Sequence, residues 1–411
     1  MPDRREPNSA FPILLCAALL VAVAGPRAAE TKAKPAADPI EQYQQKLQSI
    51  EDTGGAMDQR LQPILVDMGQ VYRKRGDNSQ AAAAFKRALF IDRSHHGLQN
   101  PGQVAIVEDL IDADTALSDG RALDKNYQYL YFLYQRNYGD SDRRTIDVVQ
   151  RIARWRLHAY ELDPEGTGLD HLIKADILYG KAEHALGKSK QESGTQRLEV
   201  LYHKALVNYY IAKAAEDFGV SFHELRAALI NNGRPCDSVA EQQARKDLNE
   251  DAELEGEVAI NHILDITGAR RKADPEAYAH ALMFAGDWYL AFYRHWDAMR
   301  HYHKAWKVLA ATGMSADQIA AAFGRPRPIA PLTVPGDKPQ KMPAHKYVDA
   351  VVDVNASGWP TNIRVSDVHP GGDNKLRRLG RRAIAAVRYR PRFEDDQPVA
   401  TSDVSIHYVF R

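Results

Sequence analysis

Two different periods of apolar residues divide this chain. From Leu61 to about Phe323 the apolar positions recur at helical spacing almost without interruption, which predicts a long all-helical region. From Lys346 to Arg411 the period drops to two. Val348, Ala350, Val352 and Val354 fall on one face of a strand and Asp349 and Asp353 on the other. Asn355-Ala-Ser-Gly358 then turns the chain, and Asn362 to Val368 forms the return strand with Ile363 and Val365 inward. Leu376, Leu379, Ala383, Ala386 and Val387 make the stripe of one helix, and Pro391 follows it. Val404, Ile406, Tyr408 and Phe410 share a face of a last strand. The pattern predicts a small α+β domain, a three-stranded antiparallel sheet plus one helix, behind an all-α region.

Within the helical region the residues repeat. Leu65, Gly69, Tyr72, Gly76, Ala81, Phe85 and Ala88 place a small residue where two helices touch, an aromatic in the gap and Gly at the turn. Leu282, Gly286, Tyr289, Ala298, Tyr302 and Ala305 follow the same grid, with Trp296 and Asp297 in the turn. A looser copy runs through Gly180 and Gly187 to Tyr202 and Ala205, with extra residues between Lys188 and Thr195. This grid resembles the tetratricopeptide repeat, which implies a helical solenoid. Helices at Leu123 to Tyr138, Arg144 to Leu162 and Val239 to Ile266 lack the full grid and read as degenerate repeats.

The C-terminal segment carries a second resemblance. Tyr347-Val-Asp-Ala-Val-Val-Asp-Val354, Arg381-Arg-Ala-Ile-Ala-Ala-Val387, Tyr389-Arg-Pro-Arg-Phe393, Gln397-Pro-Val399 and the final alternating strand are similar to the TonB C-terminal domain. Asp396 departs from that pattern, which often has Gly after an acidic residue in the turn. The resemblance implies a periplasmic domain that pairs with a peptide of an outer-membrane transporter.

The ends of these regions organise the rest. Arg4 and Arg5, the apolar run Phe11 to Ala24 and Pro26-Arg-Ala-Ala29 read as a signal peptide over 1–29, hence export to the periplasm. The run is shorter than the ~20 apolar residues of a membrane span. Residues 30–60 are a polar lead-in with a short helix around Ile40 to Ile50, and the solenoid occupies 61–323. Over 324–345, Pro326, Pro328, Pro331, Pro335, Pro339 and Pro343 mark an extended linker to the domain at 346–411. Lys plus Arg and Asp plus Glu both total 54 in 411 residues, so no global charge argues for nucleic acid. Cys16 and Cys236 are the only cysteines, and cleavage after Ala29 would leave a single thiol, unable to form an internal disulfide.

Chemical signatures are sparse. Gly187-Lys188-Ser189 ends like a phosphate loop but lacks its glycine spacing. His223-Glu224 begins like a zinc-protease motif, yet Ala227 stands where the second His belongs. His301 and His303 are two apart on a helix and point in different directions. No catalytic residue, cofactor or metal is therefore expected. Tyr127, Tyr129, Tyr131, Phe132, Tyr134 and Tyr138 crowd one helix and cover more than one face, so some should line a groove. Lys375, Arg377, Arg378, Arg381, Arg382, Arg388, Arg390 and Arg392 form a basic run that suits a solvated helix face or weak contact with an anionic surface.

The reading is an exported, non-catalytic scaffold whose solenoid groove and TonB-C-like domain each bind an envelope protein or peptide, an outer-membrane protein among the candidates. Its partner-binding residues are Val404, Ser405, Ile406, His407 and Tyr408 on the last strand, with Arg388 and Arg390. If that strand is a sheet edge, its free backbone groups can receive an extended peptide. Two rivals stand beside it. One is a TonB-type energy transducer, which needs an inner-membrane helix that only the N-terminal run could supply. The other is an enzyme with a site in the solenoid groove.

Overall fold

The computed structural model describes residues 38–162, 168–188, 194–216, 238–312, 316–329, 332, 334–335 and 346–410. The signal peptide, both cysteines, His223-Glu224 and residues 336–345 of the linker lie outside the described residues. Among the described residues thirteen helices and seven strands follow one another. Helices α1 (Pro39–Gly54), α2 (Leu61–Lys74), α3 (Asn78–His96), α4 (Gln103–Ala116), α5 (Gly120–Tyr138) and α6 (Arg143–Leu162) come first. Then come α7 (Gly168–Lys188), α8 (Gly194–Glu216), α9 (Ser238–Ala269), α10 (Pro275–Ala291), α11 (His295–Ala311) and α12 (Ala316–Phe323).

Successive helices pack against each other to make the solenoid. The grid positions do the packing at its two ends. A Cβ placed on Gly69 would lie 2.6 Å from the ring of Phe85, and one on Gly286 would lie 2.3 Å from Tyr302. Neither position admits a side chain. Phe85 and Tyr302 are fully buried in these gaps, each contributing roughly 1.5 to 3 kcal/mol of apolar burial. The third copy does not behave this way. Among the described residues Gly180 and Gly187 face nothing that a Cβ would meet. Helix α7 lies chiefly against α6 and α8 chiefly against α9, one helix out of register with the expected repeat. With no ring fitted over either glycine, the crossing is free to form elsewhere.

The short helix expected around Ile40 to Ile50 is present and longer, as α1, whereas α4 was not expected. The polar lead-in contains α1, capped by the Asp38 carboxylate on the Ile40 N–H (2.9 Å), and its Leu47 is buried against the solenoid core. Helix α4, which carries no repeat grid, buries Ile106, Val107, Leu110 and Ile111. Its acids lie between these positions and blur the stripe.

The C-terminal part holds β1 (Arg327–Pro328), β2 (Tyr347–Val354), β3 (Pro360–His369), α13 (Asn374–Ala386), β4 (Tyr389–Arg390), β5 (Arg392–Glu394), β6 (Gln397–Val399) and β7 (Thr401–Val409). The main sheet is antiparallel in the order β3-β2-β7. Val348, Ala350, Val352 and Val354 are buried on its inner face, as their alternation predicts. The helix stripe is shifted. Leu376, Gly380 and Ile384 face the sheet, while Leu379 is 43% exposed. Gly380 takes the contact because a Cβ there would lie 2.5 Å from Val348, so its absence lets helix and strand close.

The linker is not a free tether over its described residues. Arg327 and Pro328 pair with Arg390 and Tyr389, and the Ile329 N–H donates to the Arg388 carbonyl at 3.0 Å. Ile329, Leu332 and Val334 are buried in the same apolar cluster as α10 and α11. Apolar residues between the prolines explain this: each gives the extended chain a side chain to bury.

Candidate functional site: an open strand edge and a charged seam

The candidate residues of the last strand lie together, on an edge. Among the described residues strand β7 pairs with β2 on one side only. Its register is continuous from Val404 opposite Val352 to Val409 opposite Tyr347, and the Phe410 N–H donates to the Lys346 carbonyl at 3.0 Å. Antiparallel pairs alternate between bonded and non-bonded. Counting back from Phe410, Tyr408, Ile406 and Val404 therefore bond to β2, and Val409, His407 and Ser405 point their backbone groups at the open edge. The side chains alternate too. Val404, Ile406, Tyr408 and Phe410 pack on the core, while His407 lies on the outer face with its ring nitrogen 2.7 Å from Asp349. Asp403, at φ 57, ends this regular stretch, and its backbone N–H donates to Asp353.

Arg388 and Arg390 are not on that edge. Both are buried, at 6% and 5% exposure, where the C-terminal domain meets α10 and α11. They are therefore no part of the β7 edge with which the sequence grouped them. Arg390 donates from Nε to Asp287 at 2.9 Å and from Nη2 to the other carboxylate oxygen, a bidentate pair. The Tyr302 hydroxyl donates to the same carboxylate at 2.7 Å. Burial alone would lower the Arg390 pKa, but Asp287 and Tyr302 beside it leave it raised. Burial, with Asp287 next to it, also holds the Tyr302 phenol well above its ordinary value. Around this pair, Phe393 packs on Phe323 and Tyr302, with ring centres 5.0 and 6.2 Å apart. Asp396 reaches His303 at 2.9 Å and Lys307 at 3.2 Å.

The rest of the basic run is dispersed. Lys375, Arg378, Arg381 and Arg382 are exposed on α13, Arg377 donates to the Val365 carbonyl, and Arg392 pairs with Glu394. Of the neighbouring acids, Glu394 neutralises the run locally whereas Asp396 is used on the solenoid. His303 faces Asp396, while His301 stacks on Tyr289, so the two histidines do diverge.

Asp287 was the residue that sequence reasoning missed. A signal existed, because it is the only charged residue between Ala281 and Ala291, and a lone carboxylate in an apolar run needs a cation. Which cation could not be read, since Arg390 lies 103 residues away.

In the solenoid, the aromatic-rich α5 is mostly satisfied internally. Arg93 stacks on Tyr129 and Arg144 on Tyr138, and Tyr131 lines a groove of about 380 Å³ with Asp140 and Lys181. A second groove, of about 630 Å³, is lined by Leu123, Asp124, Trp155, Arg156, His171 and Lys174 among others. Buried Arg156 donates to Asp124 and, at 3.1 Å, to His171 Nδ1. Arg has donors only, so the His171 proton resides on Nε2. Burial, with Arg156 next to it, lowers the His171 pKa and favours the neutral ring. Such a groove can hydrogen-bond an extended segment. Among the described residues no group of three His, Cys, Asp or Glu is placed to hold a metal, and no helix is long and apolar enough to cross a membrane.

No family model matches the chain, and no curated protein sequence does. Among solved structures it is similar to the Podosopora anserina putative kinesin light chain with nearly identical TPR-like repeats, at 11% identity and a TM-score of 0.38. That alignment covers 62% of this chain and 98% of the other. It is also similar to BtubC (BKLC) from P. vanneervenii, at 12% identity and a TM-score of 0.33, covering 74% of this chain and 95% of that one. The tetratricopeptide-like reading of the solenoid rests on its helix crossings, Gly69 under Phe85 and Gly286 under Tyr302.

Proposed function

We propose that this protein is a non-catalytic interaction scaffold that binds an extended segment of a partner along β7, while the solenoid grooves hold a second contact. The observation that carries the reading is the open edge, where Ser405, His407 and Val409 turn their backbone groups outward. A strand added there would gain main-chain hydrogen bonds and take its specificity from the outer-face side chains. The resemblance to the TonB C-terminal domain, together with the apolar run after Arg4 and Arg5, supports a periplasmic setting and an envelope partner. In that setting the mature chain begins near Ala29 or Glu30. Intact mass from a periplasmic extract checks this, and a full-length species sedimenting with the inner membrane would favour the energy transducer instead.

Ser405→Pro and His407→Pro test the edge. Each removes an outward N–H and leaves the bonds to β2 intact. Immobilised full-length protein is exposed to envelope extracts, and the species it retains are compared with those held by the two variants. Loss of the retained species with melting kept within a few degrees is the expected result. Retention by both folded variants would sink the proposal.

A further inference from the structure

Burial removes two arginines from the surface at the seam, and only one of them has a carboxylate. Arg390 is paired with Asp287, whereas Arg388, 94% buried by its 6% exposure, meets no acid among the described residues. Its guanidinium lies over the ring of Trp359, in the turn between β2 and β3, and 4.9 Å from the ring centre of Tyr293. Its Nε and Nη1 are buried with no hydrogen-bond partner, and Nη2 is not among the buried unpartnered atoms, which leaves it as the donor open to a ligand. Beside it the His295 Nδ1 is also buried and unpartnered. The rings of Trp359 and Tyr293 offset part of the cost of burying this charge. They cannot replace an anion, because a desolvated guanidinium with idle donors is a costly group to keep.

The corner around Arg388 is built to be covered. Trp296 is 85% exposed, Tyr293 59% and Trp359 45%; Tyr293 and Trp359 flank Arg388, and Trp296 lies edge-on to the ring of His295 next along the chain. Tyr293 is held at φ 62 in the turn between α10 and α11, a conformation unusual for an aromatic residue. The neighbouring cations are already used. Arg294 pairs with Glu257 and Asp297, and Lys213 with Glu216. One uncompensated charge therefore remains, flanked by exposed aromatics. Aromatic residues and arginine are the types that dominate binding hot spots.

We propose that this corner is a carboxylate-binding site for an acidic peptide, with Arg388 receiving the carboxylate and Tyr293 and Trp296 packing against the residues beside it. A single positive charge matches a monoanionic carboxylate better than a dianionic phosphate. The site is independent of the β7 edge, which lies on a different element. The carboxylate can come from a peptide C-terminus or from an acidic side chain.

The test uses the full chain and three probes at constant ionic strength: Ac-Ala-Ala-Ala with a free C-terminus, Ac-Ala-Asp-Ala amide, and inorganic phosphate. Tryptophan fluorescence and the melting midpoint are followed during titration. Saturable binding of one or both peptides is expected, and the preferred peptide identifies the source. Arg388→Lys should weaken it by about tenfold or more, since Lys keeps the charge but loses the planar fork. Arg388→Met should abolish it, and Arg381→Met, on the exposed face of α13, should leave it unchanged. If Arg388→Met fails to fold, Arg388→Lys and the wild-type titration decide. The proposal is overturned by no saturable response to either peptide, by equal affinity in the folded Arg388 variants, or by binding of phosphate alone.

Discussion

The crossings inside the solenoid and the seam between solenoid and C-terminal domain are both well packed, and they are held by opposite chemistry. At a crossing, Gly286 opens a gap and the Tyr302 ring fills it, 16 residues later by position, with Phe323 and Phe393 packed beside it. At the seam, Arg390 crosses 103 residues of sequence to reach Asp287, and the contact is a buried charge pair. Shape decides the first and electrostatics the second. Tyr302 belongs to both, since its ring fills the gap at Gly286 and its hydroxyl bonds Asp287. The last hairpin is thus the solenoid's end and the docking face of the next domain.

The largest expected effect comes from breaking the seam pair. Asp287→Ala leaves the Arg390 guanidinium buried without an anion and should cost about 3 to 5 kcal/mol. The double variant Asp287→Leu with Arg390→Met should recover most of that loss, because apolar residues of similar size can replace a buried pair. Urea unfolding of the full chain, followed by circular dichroism, measures both. A loss below about 1 kcal/mol for Asp287→Ala would show that the pair is not what holds the seam.

A crossing is broken by adding atoms instead. Gly286→Leu must displace Tyr302, and overpacking of this kind costs about 1 to 3 kcal/mol or more. Gly180→Ala is its counterpart in the copy that does not fit. Nothing stands within 4 Å of a Cβ there, so the change should be neutral or stabilise by up to about 1 kcal/mol through helix propensity. Equal damage at both glycines would mean that the crossings are not distinguished by their rings.

These contrasts explain what was legible. Gly69, Phe85, Gly286 and Tyr302 could be read because a repeat writes its packing into fixed short spacings. The two-residue period of β2 and β7 was legible for the same reason. The Gly180 copy misled because glycine spacing alone does not say which ring comes to it, and here none does. Leu379 misled because the real stripe includes Gly380, a residue with no hydrophobic signal. The site was legible only in part. Ser405 and His407 were found from alternation, whereas Arg388 and Arg390 were grouped with the helix arginines by sequence proximity. Their burial depends on Asp287, Trp359 and Tyr293, which no local pattern connects to them.

The smallest effect tests whether the seam accepts local strain. Asp395 and Asp396 sit at φ 45 and 63 between β5 and β6, where a turn of this kind prefers glycine. Glycine at position 396 would relieve about 1 kcal/mol of backbone strain. It would also remove the contacts to His303 and Lys307, and partly exposed pairs of this sort are worth roughly 0.2 to 1 kcal/mol. The two effects oppose each other, so Asp396→Gly should change stability by less than about 0.5 kcal/mol at neutral pH. Acid separates them. Burial pushes the Asp396 carboxyl up, but His303 and Lys307 outweigh it and leave its pKa below the ordinary value. A depressed carboxyl stabilises above its unfolded pKa of about 3.9, and the contribution is lost as pH falls through the folded value. The wild type should therefore lose stability relative to Asp396→Gly below about pH 4. Adding Lys307→Ala and His303→Ala should make Asp396→Gly stabilising at every pH, since only the strain relief is left. If Asp396→Gly is strongly destabilising in that background, the aspartate serves the turn itself and not the seam.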